Sequence, residues 1–237
     1  MSERERIEAL LRAGKITPQE AELLLLALEE NPEPQGPASS PGGLRWVRVR
    51  LTAGRLEARL DPQLSTPQVG AGAELLPVED GLEAVPTGWE GGFLGGVLGK
   101  VGRSLELRLP EGWGLEIDGK AAQVEAKGIA FLKGRVAAGN LELKAVEGLD
   151  LELTAGNLEG SLLLREGQHR LRVSMGNAEL FLLSGSSLRL NANVSLGHQE
   201  IRGLHPEDGS AGLLGEGRAR LEVWVRMGNL GVQAEGR

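Results

Sequence analysis

One short word recurs along the second half of this chain and restricts what it can fold into. It reads Ala138-Gly139-Asn140-Leu141-Glu142, then Ala155-Gly156-Asn157-Leu158-Glu159, then Met175-Gly176-Asn177-Ala178-Glu179, and last Met227-Gly228-Asn229-Leu230. Leu196-Gly197-His198 is a degenerate copy. The asparagines at 140, 157 and 177 stand 17 and 20 residues apart; His198 follows after 21, and Asn229 after a further 31. Between the copies, apolar and polar residues alternate: Leu141 and Leu143; Leu149, Leu151 and Leu153; Leu171 and Val173; Leu180 and Leu182; Leu188 and Leu190; Leu221, Val223 and Val225. A period of about 20 residues holding short strands marks a β-solenoid, whose rungs stack about 4.8 Å apart so that like lies on like. Stacked leucines then make the core. Glycine permits positive φ, and asparagine tolerates it and caps turn amides, so Gly139, Asn140, Gly156, Asn157, Gly176, Asn177, Gly228 and Asn229 are expected to form a ladder of turns. A sandwich or meander would give frequent hairpins and no repeated word. The long last interval contains Gly203 to Gly217, expected as an inserted loop.

Composition narrows the classes of function. Among 237 residues there is no cysteine, so neither a disulfide nor a thiolate metal site can form. A formal net charge of −7, spread along the chain, argues against general nucleic-acid binding. The start, MSERERIEAL, lacks the features of a secretory signal, and no apolar run reaches the roughly 18 residues needed to span a bilayer. The expected location is the cytoplasm, with any membrane association made through a partner.

The first thirty residues follow helical rules. Ile7, Leu10 and Leu11 make one apolar stripe, and Gly14 ends it. Thr17, Pro18 and Glu20 then form a Thr-x-x-Glu capping box for a second helix rich in leucine. Leu24, Leu25 and Leu28 are expected to pack on the first helix, leaving leucine surface as a candidate partner contact. The order Ala13-Gly14-Lys15-Ile16-Thr17-Pro18-Gln19-Glu20-Ala21 resembles the short bacterial SHOCT-like helical hairpin. The resemblance implies an oligomerisation or docking element over residues 1–30. Residues 31–43 hold four Pro and three Gly and are expected to be a mobile linker, with a β domain over 44–237.

From Leu44 the period becomes two. Trp46 to Leu51 alternates, and Thr52-Ala53-Gly54-Arg55-Leu56-Glu57 repeats the corner word early. Leu75, Leu76, Val78, Leu82 and Val85 are expected strand anchors. Residues 89–101 form a Gly-rich apolar segment. It fails as a phosphate loop, because Leu94 stands where the first glycine is needed and Val101 where a hydroxyl is needed. Trp89 and Phe93 are candidate contacts to a partner or a membrane surface; the other reading is a loop tucked over one end of the β core.

Val136-x-x-Gly139-Asn140-Leu-Glu-Leu, Leu153-x-x-Gly156-Asn157-Leu-Glu, and the run from Gly215 to Val232 resemble the bacterial adhesin-like "toastrack" β-repeat domains. That resemblance implies a right-handed β-helix-like fold, a place for some relatives in cell-envelope stress signalling, and no enzyme. The residues agree: His169, His198 and His205 form no metal-ligand spacing, and no nucleophile motif is present. No cofactor, metal or catalytic residue is expected. Glu142, Glu152 and Glu159 are placed on one face, interleaved with Lys144, Arg170 and Arg172. The leading expectation is a non-enzymatic scaffold that binds a protein partner or itself through the solenoid face and the hairpin. The second is a bactofilin-like protein that polymerises end to end through an exposed last strand, Leu230-Gly231-Val232.

Overall fold

Leucine and valine at every second position, set between glycines, form strands with one buried side. The computed structural model describes residues 43–87, 103–207 and 210–235. The expected hairpin at 1–30, with Leu24, Leu25 and Leu28, lies outside these residues. So does the 89–101 segment with Trp89 and Phe93. The described residues fall in one compact unit spanning 38–237. Its strands are β1 (Arg45–Leu60), β2 (Gln68–Val69), β3 (Ala73–Val78), β4 (Gly81–Pro86), β5 (Arg103–Leu109), β6 (Trp113–Lys127) and β7 (Leu132–Val146). They continue as β8 (Leu149–Leu162), β9 (Gly167–Leu182), β10 (Leu188–Arg202), β11 (His205–Glu207), β12 (Ser210–Leu214) and β13 (Ala219–Ala234).

All belong to one sheet, ordered β11-β12-β10-β13-β9-β8-β7-β6-β1-β4-β3, with β5 on β1 and β2 on β5. From β1 to β10 every pairing of the long strands is parallel and nearly in register. This is a mainly β, solenoid-like stack.

The rungs differ from the expected short strands joined by turns. Each period is a single strand of 14 to 16 residues that passes through its Gly-Asn word. The glycines hold φ of 152° at Gly139, 137° at Gly156, 135° at Gly176 and 139° at Gly228, while pairing continues through Gly139↔Gly156 and Gly156↔Gly176. The buried side changes parity there. In β8, Leu149, Leu151 and Leu153 are buried before the glycine, and Leu158, Gly160 and Leu162 after it. Each rung is therefore bent, and both arms face one core. The space is too tight for any side chain: a methyl built on Gly156 would lie 1.8 Å from the Gly139 carbonyl oxygen.

Columns of like residues fill the core. Leu51, Gly119, Val136, Leu153, Val173, Val225 and Val194 stack on the first arm; Leu105, Leu56, Val124, Leu141, Leu158, Ala178 and Leu230 stack on the second. His169 is buried in line with Leu221 and beside Leu149. Its Nδ1 accepts from the Leu149 N–H (3.4 Å), and its Nε2 donates to the Glu166 carbonyl (2.9 Å), which fixes the neutral tautomer. Burial pushes its pKa below the usual imidazole value. Phe131 lies against it, with ring centroids 6.1 Å apart, and Trp46 meets Phe131 edge-on.

The two ends of the stack differ. At one, β4 and β5 together cover the outer edge of β1 along Trp46–Val49 and Gly54–Leu60. At the other, β12 covers β10 only over Leu188–Leu190. The C-terminal strand β13 is not the end rung. It sits between β9 and β10, with Leu230 and Val232 buried. The expected exposed contact at Leu230-Gly231-Val232 is thus corrected: both hydrogen-bonding edges of that strand are occupied by neighbours. Residues 203–217 are also more than a loop, for they contain β11 and β12.

Candidate functional surface

In-register stacking turns each outward position into a column, so the charge of a face follows from one residue per rung. On the first arm the signs alternate. Arg48, Glu116, Lys133, Asp150, Arg170 and Glu222 follow one another, ending at Asn191. Beside them run Arg50, Asp118, Arg135, Glu152 and Arg172, ending at Trp224 and Asn193. Opposite charges one rung apart attract, and Arg48 pairs with Glu116 at 3.0 Å.

The second arm is built differently. Its outer column is Glu106, Glu57, Glu125, Glu142, Glu159 and Glu179, interrupted by Gly231 and resumed at Glu200. Like charges directly opposite one another destabilise a sheet. Relief comes from one end. Arg55 reaches Glu57 (2.8 Å) and Glu125 (3.1 Å), and Lys144 reaches Glu142 (2.7 Å) and Glu125 (3.2 Å). The hydrogen bond from Lys144 holds the Glu125 carboxyl below the usual range, and the hydrogen bonds that Lys144 donates to Glu142 and Glu125 raise its own ammonium. The adjacent column is cationic through Arg108, Arg59, Lys127 and Lys144. Past Lys144 it becomes Ser161, Phe181 and Gln233. Among the described residues Glu159 and Glu179 form no ion pair, and Phe181 beside them is 39% exposed.

On the other flank of the glutamates stand the asparagines. Asn157 Nδ2 donates to Asn140 Oδ1 (3.3 Å), Asn177 Nδ2 to Asn157 Oδ1 (3.1 Å), and Asn229 Nδ2 to Asn177 Oδ1 (3.0 Å). Each amide is thus oriented by its neighbour. The His198 N–H continues the file by donating to Asn229 Oδ1 (3.2 Å). Gly139, Gly156, Gly176 and Gly228 lie immediately before them, so the repeated word places a corner, an amide and a carboxylate on β7, β8 and β9, and a corner and an amide on β13. A groove of about 250 Å³ opens along this face, lined by Arg55, Gln123, Glu125, Asn140, Glu142, Asn157 and Glu159.

No protein-family model matches the chain, and no curated protein matches it. Two solved structures are similar to it. One, described as a candidate cell adhesion protein from Clostridium sporogenes, shares 12% identity over 84% of this chain and 97% of that one, with a TM-score of 0.49. The other, a candidate adhesin from Bacteroides fragilis, shares 11% over 81% and 92%, with a TM-score of 0.31.

Glu142, Glu152 and Glu159 do not share one face. Glu142 and Glu159 lie in the glutamate column, whereas Glu152 lies on the first arm between Arg135 and Arg172. The change of parity at each glycine separates them. Arg170 and Arg172 likewise belong to the first arm, opposite Asp150 and Glu152, and of the three cations Lys144 is the one that stands beside the glutamate column. The exposed Phe181 was not singled out from sequence; its signal was an aromatic at a position where earlier rungs carry lysine or serine. Among the described residues no three His, Asp or Glu side chains gather as a metal site, and no helix is long and apolar enough to cross a membrane.

Proposed function

We propose that this protein is a non-enzymatic binding scaffold whose second-arm face receives a basic segment of a partner protein. The observation that carries this reading is the pair Glu159 and Glu179, stacked without a described counter-charge beside exposed Phe181. The first arm of the same rungs compensates every stacked charge from Arg48 to Glu222, so the sequence can alternate signs and here does not. Asn157 and Asn177 are held by the amide file and offer oriented hydrogen-bond groups alongside. A lysine or arginine from a partner would neutralise the carboxylates, and its stem would lie on Phe181.

The resemblances to toastrack repeats and to the SHOCT-like hairpin support a finer version. The protein acts in the cytoplasm in cell-envelope stress signalling, reaches the membrane through its partner, and docks through residues 1–30 as well as the β face. Trp89 and Phe93 add a peripheral membrane or partner contact. Residues 1–30, 31–43 and 44–237 then serve as docking element, tether and scaffold.

Proximity labelling in the native cell tests the reading. Partners labelled by the wild type should be lost with Glu159→Gln/Glu179→Gln, and deletion of residues 1–30 should remove the docking set. An unchanged partner set in the carboxylate variant would overturn the assignment of this face.

A further inference from the structure

One outward column changes character along the stack. Immediately before the corner glycine, β1 carries Ala53, and β6, β7 and β8 carry Ala121, Ala138 and Ala155. On the next three rungs the same position becomes Met175, Met227 and Leu196. Apart from Met1, these are the methionines of the chain. The three side chains are 51%, 50% and 62% exposed. They form a row over two rung spacings, about 10 Å. Both arms of a rung face one core, so the corner between them projects outward, and the row is a convex ridge. Single large apolar residues are ordinary on a protein surface, whereas an adjoining row marks an interaction site. The shoulders of the ridge differ in charge. On the first arm, β9 and β13 place four arginines, Arg170, Arg172, Arg220 and Arg226, around Trp224. Glu222, the acid among them, pairs with Arg220 at 3.3 Å, while Arg170 and Arg172 face Asp150 and Glu152 of β8. Arg226 is exposed, adjoins Met227, and has Ser174 at the matching position of β9. On the second arm the asparagine file separates the ridge from Glu179 and Glu200.

We infer that this ridge, with Arg226 and Trp224 beside it, makes direct contact with an anionic phospholipid surface. A convex row offers a folded partner no pocket to fill. A bilayer interface yields around such a row and takes in apolar side chains to shallow depth. Methionine is unbranched and adapts to an irregular apolar surrounding, which suits Met175 and Met227 to that setting. Tilting about the ridge brings the first arm down onto the surface. Arg226 then meets lipid phosphates, and Trp224 lies at the headgroup level, where an indole finds an apolar side and a polar one. The same tilt lifts Glu179 and Glu200 away, because the outer faces of the two arms diverge from the corner. The contact is distinct from one through Trp89 and Phe93, and it needs no partner protein.

Flotation of the purified full chain with lipid vesicles reads the result. The wild type should float with vesicles of phosphatidylglycerol and phosphatidylcholine in equal parts, less with phosphatidylcholine alone, and less as salt rises. Met227→Ser/Leu196→Ser should bind at least about tenfold more weakly. Arg226→Gln should bind about fivefold more weakly to the anionic vesicles. Both variants should keep the thermal unfolding of the wild type by circular dichroism, because the three side chains are exposed. A wild type that does not float would overturn the inference, as would equal binding to the two lipid compositions. So would binding that survives the ridge substitutions, because the contact would then lie elsewhere, as at Trp89 and Phe93. Light scattering offers a further refutation: a mass of twice 25.1 kDa that halves in the ridge variant would assign the row to a second copy of the chain. The vesicles contain no protein, and no variant touches Glu159, Glu179 or Phe181, so failure here is distinguishable from failure of the binding-face reading.

Discussion

Replacing Gly156 by alanine tests whether the corner of each rung depends on a missing side chain. Two costs add. The backbone there has φ of 137°, a region that residues with a Cβ occupy at about 1–3 kcal/mol of strain. The new methyl would also sit 1.8 Å from the Gly139 oxygen and 2.8 Å from its carbon, against an ordinary contact of at least 3.4 Å. Side-chain rotation cannot relieve this, because the opposing atoms are backbone. Rungs β7 and β8 must part by roughly a third of a strand spacing, which removes the few ladder hydrogen bonds flanking the corner at about 1 kcal/mol each. The sum is about 3–6 kcal/mol, a large fraction of the 5–15 kcal/mol typical of a natural domain. Urea unfolding followed by circular dichroism gives the change in midpoint and slope. Gly231→Ala is the control: its methyl would find nothing nearer than Glu179 Cγ at 3.8 Å, and a change within about 0.5 kcal/mol is expected. A Gly156→Ala protein within about 1 kcal/mol of wild type, with an unchanged slope, would refute the reasoning.

Acid should weaken the fold through His169. Its native pKa lies below the unfolded value of about 6.5, so the unfolded chain takes the proton first. Stability is full above that pH and declines below it by at most about 1.4 kcal/mol per pH unit, until the native ring also protonates. His169→Leu should flatten the decline between pH 6.5 and the lowered native value, although it strips the Leu149 N–H of its acceptor; an unchanged pH profile would show that other groups set it. Lys144→Gln removes the cation shared by Glu125 and Glu142, so the variant should be destabilised at low salt and recover as salt screens the glutamate column. Midpoints measured across ionic strength would contradict this if the gap to wild type did not narrow.

Much of the stack could be read from the chain, because a solenoid writes its rungs as repeats. Gly139, Asn140 and their later copies gave the corner positions, and alternating leucines gave the buried side. The bend itself was hidden. A Gly-Asn pair between alternating runs is also a strong hairpin signal, so one long bent strand and two short ones look alike in sequence. The number of residues between Leu153 and Leu158 held the answer, since an odd step moves the next leucine to the opposite side of a straight strand. Missing that step placed Glu152 with Glu142 and Glu159. The order of the last rungs was not legible either. Leu221-x-Val223-x-Val225 and Leu188-x-Leu190-x-Ala192 fit the same core columns, and local pattern does not say which strand lies nearer β9. Loss of charge along β10 was the available sign of an end rung.

The position of β13 bears on how the molecule comes to be made. Chain order and spatial order agree from β6 to β9, so those rungs can be laid down one on another as they emerge. At β10 the agreement fails. The slot between β9 and β10 belongs to a strand synthesised later, and until it arrives β10 has no long strand to pair with. The leucine columns of the last two rungs close only then. A nascent chain halted within β12 would hold a finished stack through β9 and an unattached β10. The apolar flank of β9 would stay open to chaperones, to proteases, or to the β13 of another molecule.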